Sequence, residues 1–536
     1  MPSSPEESDT EAIKRFAVYD DVFLKIASFG RCQKLLFFCC GILNITLGTQ
    51  FGLLVFAMGT PSFSCTTSNA TCPVRKCCEN CTSYEFSKEQ FTSVATEWNL
   101  ICDRAHIAAS LQSCFFSGMA VGSLLGGLIS DAFGRRLCMF LSCGILVISG
   151  VAASFADCLS LLGLLRFCIG FSLASFMLSS YIYMIELIGP QYRTMGGQIS
   201  HVFYSPGYCL TALIGYFVRD WRYLNMTCCL LPAFFFLTWK VFPESARWLI
   251  ANNRLDEALQ VLSRYGSRSG SDSVDLAALK EVIKDIRRDQ IEREQHAKRT
   301  SVLDLLRTRK LRKRTLILAF NWFVVALVHF GFYLYVTSLA GNVYVNFVIM
   351  NSIYIPHLFF CWFLMHRYGR RFPYSSYMLS AGAASLLILA VFKAYPVGAT
   401  VLAIIGKTLI TTEFSNIYLF TSELYPTILR NTGIGAGSMS ARLGGILAPY
   451  IVMTSQLPGV SLTLPVTIFG VSAVIAGILS LWLPETRYIT LPQTIEEVET
   501  VKEDYSLPCR ARHRIPDEPV MIELEKGESM ITNTAL

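Results

Sequence analysis

Four ionisable residues interrupt long apolar segments of this chain, namely Arg166, Lys407, Glu413 and Arg442. An ionised side chain at the centre of a bilayer costs roughly 2.5–3.5 kcal/mol, so each must face a cavity or a partner. A guanidinium can grip a carboxylate with two parallel hydrogen bonds. We therefore expect Arg442 to bind an anionic group; the alternative is a structural ion pair with a residue of a neighbouring helix.

Glu413 is the one acid among the four. Our first hypothesis is that it is the counter-ion of Arg442 or Lys407. Our second is that it carries a proton, because burial favours the neutral form of a carboxyl group. Lys407, between Gly406 and Thr408, is similar to the end of a phosphate-binding loop. Position 401 is Val rather than Gly and the segment is apolar, which excludes nucleotide binding.

Aromatic side chains in the same apolar segments are candidates for the wall of a pocket. Their faces attract organic cations and stack equally well on aromatic anions. Because the chain contains 37 Phe and 23 Tyr, any one of them could instead face lipid or pack in a core. The candidates are Tyr204, Tyr208, Trp322, His329, Phe330 and Tyr354.

Six of the 19 cysteines are concentrated in the polar segment 59–106. Such density in a loop predicted to be extracellular indicates a disulfide framework, although six cysteines allow 15 pairings; a zinc site is the alternative. Asn69 and Asn80 begin glycosylation acceptors in the same segment. The six are Cys65, Cys72, Cys77, Cys78, Cys81 and Cys102.

The candidate residues of the membrane interior are positioned by apolar segments, which make up most of the chain. Of its 536 residues 52% are hydrophobic and 16% charged, against about 25% charged in soluble domains. Runs of the roughly 20 residues that a helix needs to cross a bilayer predict an all-α membrane protein with twelve spans. They are Leu35–Met58, Ile107–Ile129, Leu137–Ala156, Leu159–Ile185, Gly196–Val218, Leu224–Phe242, Leu316–Val336, Val343–Met365, Tyr377–Val391, Val397–Thr421, Gly433–Val452 and Leu464–Leu483.

A polar interval at 243–314 divides the spans six and six. It holds 17 Lys/Arg and 11 Asp/Glu, and the short loops on the same side carry further arginines, so the positive-inside rule places this side and both termini in the cytoplasm. The expected parts are an N-terminus at 1–34, a first bundle at 35–242 with its extracellular loop at 59–106, a cytoplasmic loop at 243–314 with helices near 255–265 and 276–291, a second bundle at 315–484 and a tail at 485–536.

Three motifs recur between the two halves at nearly constant offsets. Asp131-Ala-Phe-Gly-Arg-Arg136 returns as His366-Arg-Tyr-Gly-Arg-Arg371 after 235 residues, Glu186-x6-Arg193 as Glu423-x6-Arg430 after 237, and Phe-Pro-Glu-Ser at 242–245 as Leu-Pro-Glu-Thr at 483–486 after 241. Two parallel six-helix repeats with a site between them at the midplane are typical of secondary transporters. The alternative is that the motifs merely mark helix ends.

The charged residues of these motifs are expected to form a gate. They can pair across the two halves and with helix termini, hold the cytoplasmic side shut and separate when it opens. Glu186 with Arg193, and Glu423 with Arg430, are expected to form matching latches. His366 stands where the first repeat has Asp, which indicates that the gate contacts of the second repeat are weaker or pH-sensitive. The alternative is that His366 lies at a solvated helix end with no gating role. The gating residues are Asp131, Arg135, Arg136, Glu186, Arg193, Arg370, Arg371, Glu423 and Arg430.

The segment Gly127-Leu-Ile-Ser-Asp-Ala-Phe-Gly-Arg-Arg136 resembles the signature of the major facilitator superfamily. Over nearly its full length the chain is similar to that superfamily's organic ion transporter family, which carries organic cations, organic anions and zwitterions such as carnitine. Sugar porters share the Pro-Glu-Ser and Gly-Arg-Arg elements but typically lack the long cysteine loop. The likeness rests on the cysteine loop ending Thr96-Glu-Trp-Asn-Leu-Ile-Cys102, Arg219-Asp-Trp-Arg222, Phe242-Pro-Glu-Ser-Ala-Arg-Trp-Leu249, Leu303-Asp-Leu-Leu-Arg307, Ser422-Glu-Leu-Tyr-Pro-Thr427 and Leu483-Pro-Glu-Thr486.

The resemblance implies a twelve-helix major facilitator fold of two six-helix pseudo-repeats. It also bears on substrate charge, since anion and carnitine carriers have Arg where Arg442 stands and cation carriers have Asp. Tyr354 replaces an acid of the cation carriers, whereas Leu358 replaces a Lys of many anion carriers and His357 could substitute for it. Arg166 resembles a buried arginine of the superfamily that has a role in its proton-linked members. The equal alternative is that Arg166 is a structural hydrogen-bond donor.

The chain departs from the family pattern at two positions: at His329, where Tyr is common, and at Glu413, where a small residue is usual.

The resulting prediction is a plasma-membrane transporter that moves small organic ions by alternating access, with organic anions or zwitterions favoured. An organic cation transporter is the alternative, followed by a non-transporting sensor or a sugar porter.

No enzyme, metal, cofactor or nucleic-acid partner is predicted, and a coupled H⁺ or Na⁺ or an exchanged organic anion stays open. The expected partners are a small organic ion, the lipid bilayer and a PDZ domain that would read the C-terminal Thr534–Leu536.

Overall fold

The computed structural model describes residues 17–66, 74–78, 81, 83–87, 91–266, 274–296, 301–487, 492 and 495–500. Within these residues the chain is helical, apart from loops and one antiparallel hairpin of β1 (Phe63–Cys65) and β2 (Tyr84–Phe86). The sites predicted at Asn69, Asn80, Cys72 and Thr534–Leu536 lie outside the described residues.

Eight helices of the described part are long and apolar enough to cross a bilayer. They are spans 1 to 4 (Arg31–Phe56, Ala105–Phe133, Arg135–Ser154 and Leu159–Leu187), span 7 (Arg309–Tyr335), span 8 (Val343–Ser352 continued by Tyr354–Tyr368), span 9 (Arg371–Val391) and span 10 (Pro396–Leu424).

The other four expected spans are helical too, but they are broken, shorter or more polar. Span 5 is Pro190–Val202 followed by Tyr204–Phe217, span 6 is Trp221–Leu230 followed by the 3₁₀ helix Leu231–Thr238, span 11 is Arg430–Met453 and span 12 is Leu464–Ser480. Span 6 tightens where Pro232 removes a backbone donor. The twelve spans therefore confirm the predicted fold class.

The polar segments add short helices at one end of the bundle. Between spans 6 and 7 lie Ala246–Ala251, Leu255–Ser263, Leu276–His296 and the 3₁₀ helix Val302–Leu306. The 3₁₀ helix Tyr19–Leu24 precedes span 1, and Ile495–Thr500 follows span 12. We call the end with these helices and the Gly-Arg-Arg turns the arginine end, and the end with the β1–β2 hairpin the cysteine-rich end.

The turns that join spans 2 to 3 and spans 8 to 9 show why both repeats carry Gly-Arg-Arg. The Glu244 carboxylate accepts the backbone N–H groups of Arg135 at 2.8 Å and Arg136 at 3.1 Å. In the second half Glu485 accepts those of Arg370 at 2.7 Å and Arg371 at 3.1 Å. Each carboxylate thus satisfies orphan donors at a helix N-terminus. Burial raises the pKa of Glu244, and these backbone hydrogen bonds oppose that effect.

Glycine is required at both turns for two reasons. Gly134 has φ +104° and Gly369 has φ +92°, a region that other residues rarely adopt. A Cβ atom at either position would also meet the carboxylate of Glu244 or Glu485.

We predict that Gly134→Ala and Gly369→Ala each lower the melting temperature (Tm) of the detergent-purified protein, because the strained backbone costs of the order of 1–3 kcal/mol and the capping carboxylate is displaced. Gly127→Ala is the matched control, since its Cβ would make only an ordinary contact with Leu178. A Tm for either turn variant equal to that of Gly127→Ala would contradict this account.

Candidate functional site

The two halves meet around an aromatic cluster near the middle of the spans. Phe330 of span 7 lies 6.3 Å from Phe51 of span 1 and 4.7 Å from Phe116 of span 2, between ring centroids. Tyr208 of span 5 lies 5.8 Å from Tyr333 of span 7. The cluster comprises Phe51, Phe116, Tyr208, His329, Phe330, Tyr333 and Phe414.

The other aromatic candidates lie outside this cluster. Tyr204 is buried in the first half, where its hydroxyl donates to Asn44 at 3.3 Å. Tyr354 is buried at the break of span 8 and interacts electrostatically with Tyr208. Trp322 lies nearer the arginine end; its Nε1 donates to Thr421 at 3.0 Å.

Arg442 lies on the face of span 11 that meets the first half. Residues three and four positions further along a helix share its face, and these are Gly445, which adjoins Phe116, and Ile446, whose carbonyl accepts the Ser113 hydroxyl at 2.7 Å. The neighbouring Leu443, 58% exposed, faces away from the protein instead. Arg442 therefore points to the boundary between the halves and not to lipid.

No residue in the described part of the chain forms an ion pair or hydrogen bond with Arg442. Its Nε is buried without a hydrogen-bond partner, and the group that interacts with it electrostatically is the phenol of Tyr418. Tyr418 packs edge-on against Trp322, with 4.4 Å between the ring centroids. The structural ion pair considered for Arg442 is not formed, so its guanidinium can hold an anion.

Lys407 is a second cation at the boundary, although it was not among the residues predicted to bind substrate. Its ammonium donates to Asn351 Oδ1 at 3.0 Å and lies 5.9 Å from the centre of the Tyr333 ring. It interacts electrostatically with Cys209 of the first half. Its position as a charged residue in an apolar span predicted that it faces a cavity or a partner, and Asn351 is that partner.

Glu413 is turned away from both cations, so the expected counter-ion role is wrong for this conformation. The side chain is fully buried between spans 8, 9 and 10; Oε1 accepts Asn416 Nδ2 at 3.1 Å and Oε2 has no partner. Helix geometry explains this, because six residues at 3.6 per turn rotate Glu413 about 120° from Lys407. Phe414 and Tyr418, in contrast, lie on the Lys407 face.

Arg166 lies inside the first half and is 1% exposed. Its guanidinium carbon is 6.0 Å from the centre of the Phe115 ring. None of its three side-chain nitrogens has a hydrogen-bond partner. The described spans thus hold three deeply placed cations and one deeply placed acid, and no two of these four are paired.

The gating residues pair within each half and not across the halves. Arg135 contacts Asp131 at 2.9 Å and Glu186 at 3.3 Å, all in the first half. Arg370 contacts Glu423 at 3.3 Å in the second half. The carboxylate that ends span 4 or span 10 adjoins the Gly-Arg-Arg turn of its own bundle, so these ion pairs lie within a half. Pairing between the halves, which is expected when this end is shut, stays a prediction.

The remaining gating residues depart from the expected latches as well. Arg193 pairs with Asp20 at 2.7 Å instead of Glu186, and Arg430 keeps Nε and Nη2 without a hydrogen-bond partner. Arg136 and Arg371 each donate to a backbone carbonyl that follows the last span of their half. His366 stacks on Trp362 with 6.0 Å between ring centroids, so the second half lacks a counterpart of the Asp131 contact.

Contacts between the halves are concentrated toward the cysteine-rich end. Phe56 stacks on Tyr344 at 5.1 Å, and the Tyr344 hydroxyl donates to the Gly215 carbonyl at 3.2 Å. Between described residues, the hydrogen bond nearest the arginine end is that of Ser415 to Gln198, about a third of the way along the spans. The halves are therefore joined at the cysteine-rich end and part toward the arginine end.

Disulfides tie together the segment beyond span 1. Cys65 pairs with Cys81 and Cys77 with Cys102, with Cα–Cα distances of 6.0 and 5.6 Å. Cys78 is disulfide-bonded too. The predicted disulfide framework is confirmed for these five cysteines, and the zinc alternative is excluded for them.

Twelve spans in two halves that repeat the same motifs are the arrangement of the major facilitator fold. The sugar (and other) transporter family matches residues 40–503. The inward-open structure of the xylose transporter XylE from E. coli is 16% identical, with a TM-score of 0.62 over 87% of this chain and 99% of that one.

Curated relatives narrow this class. An organic cation transporter protein of Drosophila melanogaster is 32% identical over 522 residues, covering 90% of this chain and 94% of that protein. Solute carrier family 22 member 7 of Bos taurus is 35% identical over 423 residues, covering 78% and 75%. The chain belongs to the organic ion transporter family, solute carrier family 22, of the major facilitator superfamily. It is a multi-pass membrane transporter of organic ions and not an enzyme.

We predict that Glu413→Gln leaves the Tm of the purified protein at pH 7 unchanged. An ionised carboxylate with one unpartnered oxygen would be an uncompensated buried charge, so the neutral acid, which glutamine mimics, is the form this site accepts. Glu423→Gln is the control; it breaks the Arg370 ion pair and should lower Tm. Destabilisation by Glu413→Gln as large as that by Glu423→Gln would contradict the neutral form.

Proposed function

We propose that this transporter carries organic anions, or zwitterions with a carboxylate, across the plasma membrane by alternating access. The observation that carries the proposal is Arg442, a cation at the boundary between the halves without a partner among the described residues. A substrate carboxylate would supply that partner through a bidentate hydrogen-bonded pair.

The surroundings of Arg442 favour an aromatic or a carnitine-like substrate. The aromatic cluster begins one turn further along, where Gly445 adjoins Phe116 and Phe330. Rings of this kind stack on an aromatic anion, and they hold a quaternary ammonium by cation–π attraction. Lys407 adds positive potential beyond the cluster, while Glu413 is turned into the second half.

An organic cation is the second candidate substrate, and the aromatic cluster is the feature that favours it. Against it stands electrostatic repulsion, because Arg442 and Lys407 both lie at the boundary and no acid of the described spans neutralises them. A cation would therefore have to approach two unneutralised charges in a medium where charges are weakly screened.

We infer that the arginine end faces the cytoplasm. Arginines occupy its short loops, as the positive-inside rule requires, and the disulfides at the other end suit an oxidising compartment. In that orientation the structure is closed toward the outside and parts toward the cytoplasm. Glycosylation at Asn69 and Asn80 and PDZ binding at Thr534–Leu536 stay predictions.

We predict that Arg442→Lys lowers the initial rate of carboxylate uptake at least tenfold, about 1.4 kcal/mol, because lysine keeps the charge but loses the two-pronged hydrogen bonding. Arg442→Asp should abolish carboxylate uptake and raise that of tetraethylammonium. Radiolabelled carnitine, an aromatic carboxylate, urate and tetraethylammonium would be compared in proteoliposomes, with and without Na⁺ and at two pH values.

Leu443→Ala is the control, since this next residue faces away from the protein and its removal should leave every uptake rate unchanged. Reconstituted amounts would be matched between variants. Carboxylate uptake by Arg442→Lys equal to that of Leu443→Ala would refute the anion site.

A further inference from the structure

A cavity of about 440 Å³ lies at the cysteine-rich end, apart from the aromatic cluster. This volume is within the range of about 300–1,000 Å³ usual for small-molecule sites. The first half contributes the segment 59–63 and the start of span 2, and the second half contributes the ends of spans 7 and 11 and the start of span 10. The cavity thus bridges the seam that is closed in this conformation.

Arg75 is the one charged side chain among the described residues that line this outer cavity. Its Nε donates to Ser62 Oγ at 2.9 Å, and its backbone, with the uncommon φ of +66°, donates to the Phe63 carbonyl at 2.9 Å. Burial lowers the pKa of Arg75 to about 10, so the guanidinium is charged at neutral pH. No acidic residue of the described part of the chain forms an ion pair with it.

The rest of the outer cavity is amphipathic. Leu334, Phe392 and Val452 supply apolar surface, and Gln112 and Gln456 supply amides. The Gln456 Oε1 atom is buried without a hydrogen-bond partner, which leaves an acceptor open to a ligand donor.

We propose that the outer cavity is a second ligand site, which binds amphipathic organic anions with the charged head on Arg75. Because the ligand would touch both halves, it binds the conformation in which this end is closed more tightly than the one in which it is open, and so shifts the population to the closed one. Bound from outside, it inhibits transport without occupying the central site. This step rests on the proposed orientation but not on the charge of the transported substrate.

The test uses naphthalene-2-sulfonate added outside cells that express the full chain, with uptake of any transported organic ion as the readout. In the wild type we expect the maximal rate to fall while KM stays constant. Arg75→Gln should require at least tenfold more sulfonate for the same inhibition. Arg104→Gln is the control, because this exposed arginine at the same end does not line the cavity; its inhibition should equal that of the wild type.

A second variant and a second readout keep the test independent of expression. Ala399→Phe places a ring in the cavity and should remove the inhibition. With purified protein, the sulfonate should raise Tm for the wild type and Arg104→Gln but not for Arg75→Gln, as binding to the folded state requires.

Three outcomes would overturn the outer site: no inhibition of the wild type, equal inhibition of Arg75→Gln, or inhibition that raises KM alone and disappears in Arg442→Lys, which would place the sulfonate at the central site. Substrate selectivity measured without the sulfonate reports on the proposed function separately.

Discussion

A guanidinium without a carboxylate partner, held at membrane depth between two helical bundles, is the constraint on which the rest of the site depends. Burying such a charge in a dry interior costs several kcal/mol after relaxation. Arg166 shows that a packed bundle can hold such a charge without a hydrogen-bond partner, but an anion that reached Arg442 between the bundles would relieve this cost at the boundary. This agrees with the arrangement of contacts, which are dense beyond the aromatic cluster and sparse toward the arginine end.

The free-energy cost of burying the Lys407 ammonium is offset by contacts within the protein. Its ammonium has a neutral amide oxygen at 3.0 Å and the face of Tyr333 at 5.9 Å, and Asn351 is itself held from across the boundary, since its carbonyl accepts the Ser205 hydroxyl at 2.7 Å. One cation is thus accommodated by neutral groups of the protein, whereas Arg442 has no ion pair or hydrogen bond with any described residue. Lys407 and Arg442 together create a positive potential along the boundary between the halves. Only the arginine end of that boundary is open.

The repeated motifs make each half rigid instead of joining the halves. Charged pairs and helix-capping carboxylates lie inside one bundle or the other, as with Arg135 and Glu186 or Arg370 and Glu423. The contacts across the boundary are stacked rings and neutral hydrogen bonds, each worth only about 0.5–1.5 kcal/mol net. Opening the cysteine-rich end from this conformation would then break many weak contacts and no ion pair between described residues, which favours access to a second state.

How far the sequence predicts this arrangement depends on the range of the forces involved. Apolar length placed the ends of all twelve spans to within seven residues, and local turn chemistry placed the Gly-Arg-Arg turns. The counter-ion role of Glu413 was predicted wrongly because it depends on helix rotation: Glu413 is about 120° from Lys407 on span 10. Nor does the sequence reveal that Arg193 pairs with Asp20 in this conformation. The outer cavity, assembled from distant segments of both halves, leaves no local pattern in the sequence.

The outer cavity and the central site at Arg442 are linked because ligand binding at either one shifts the same equilibrium between the two conformations. A ligand that bridges the closed seam near Arg75 favours the state in which Arg442 is reached from the arginine end, and by reciprocity a substrate bound in that state strengthens the outer ligand. Loading from the opposite side needs the seam to part, so there the outer ligand and the substrate oppose each other. A transporter built in this way distinguishes the two directions of transport by where an anion binds, without any difference in the central contacts.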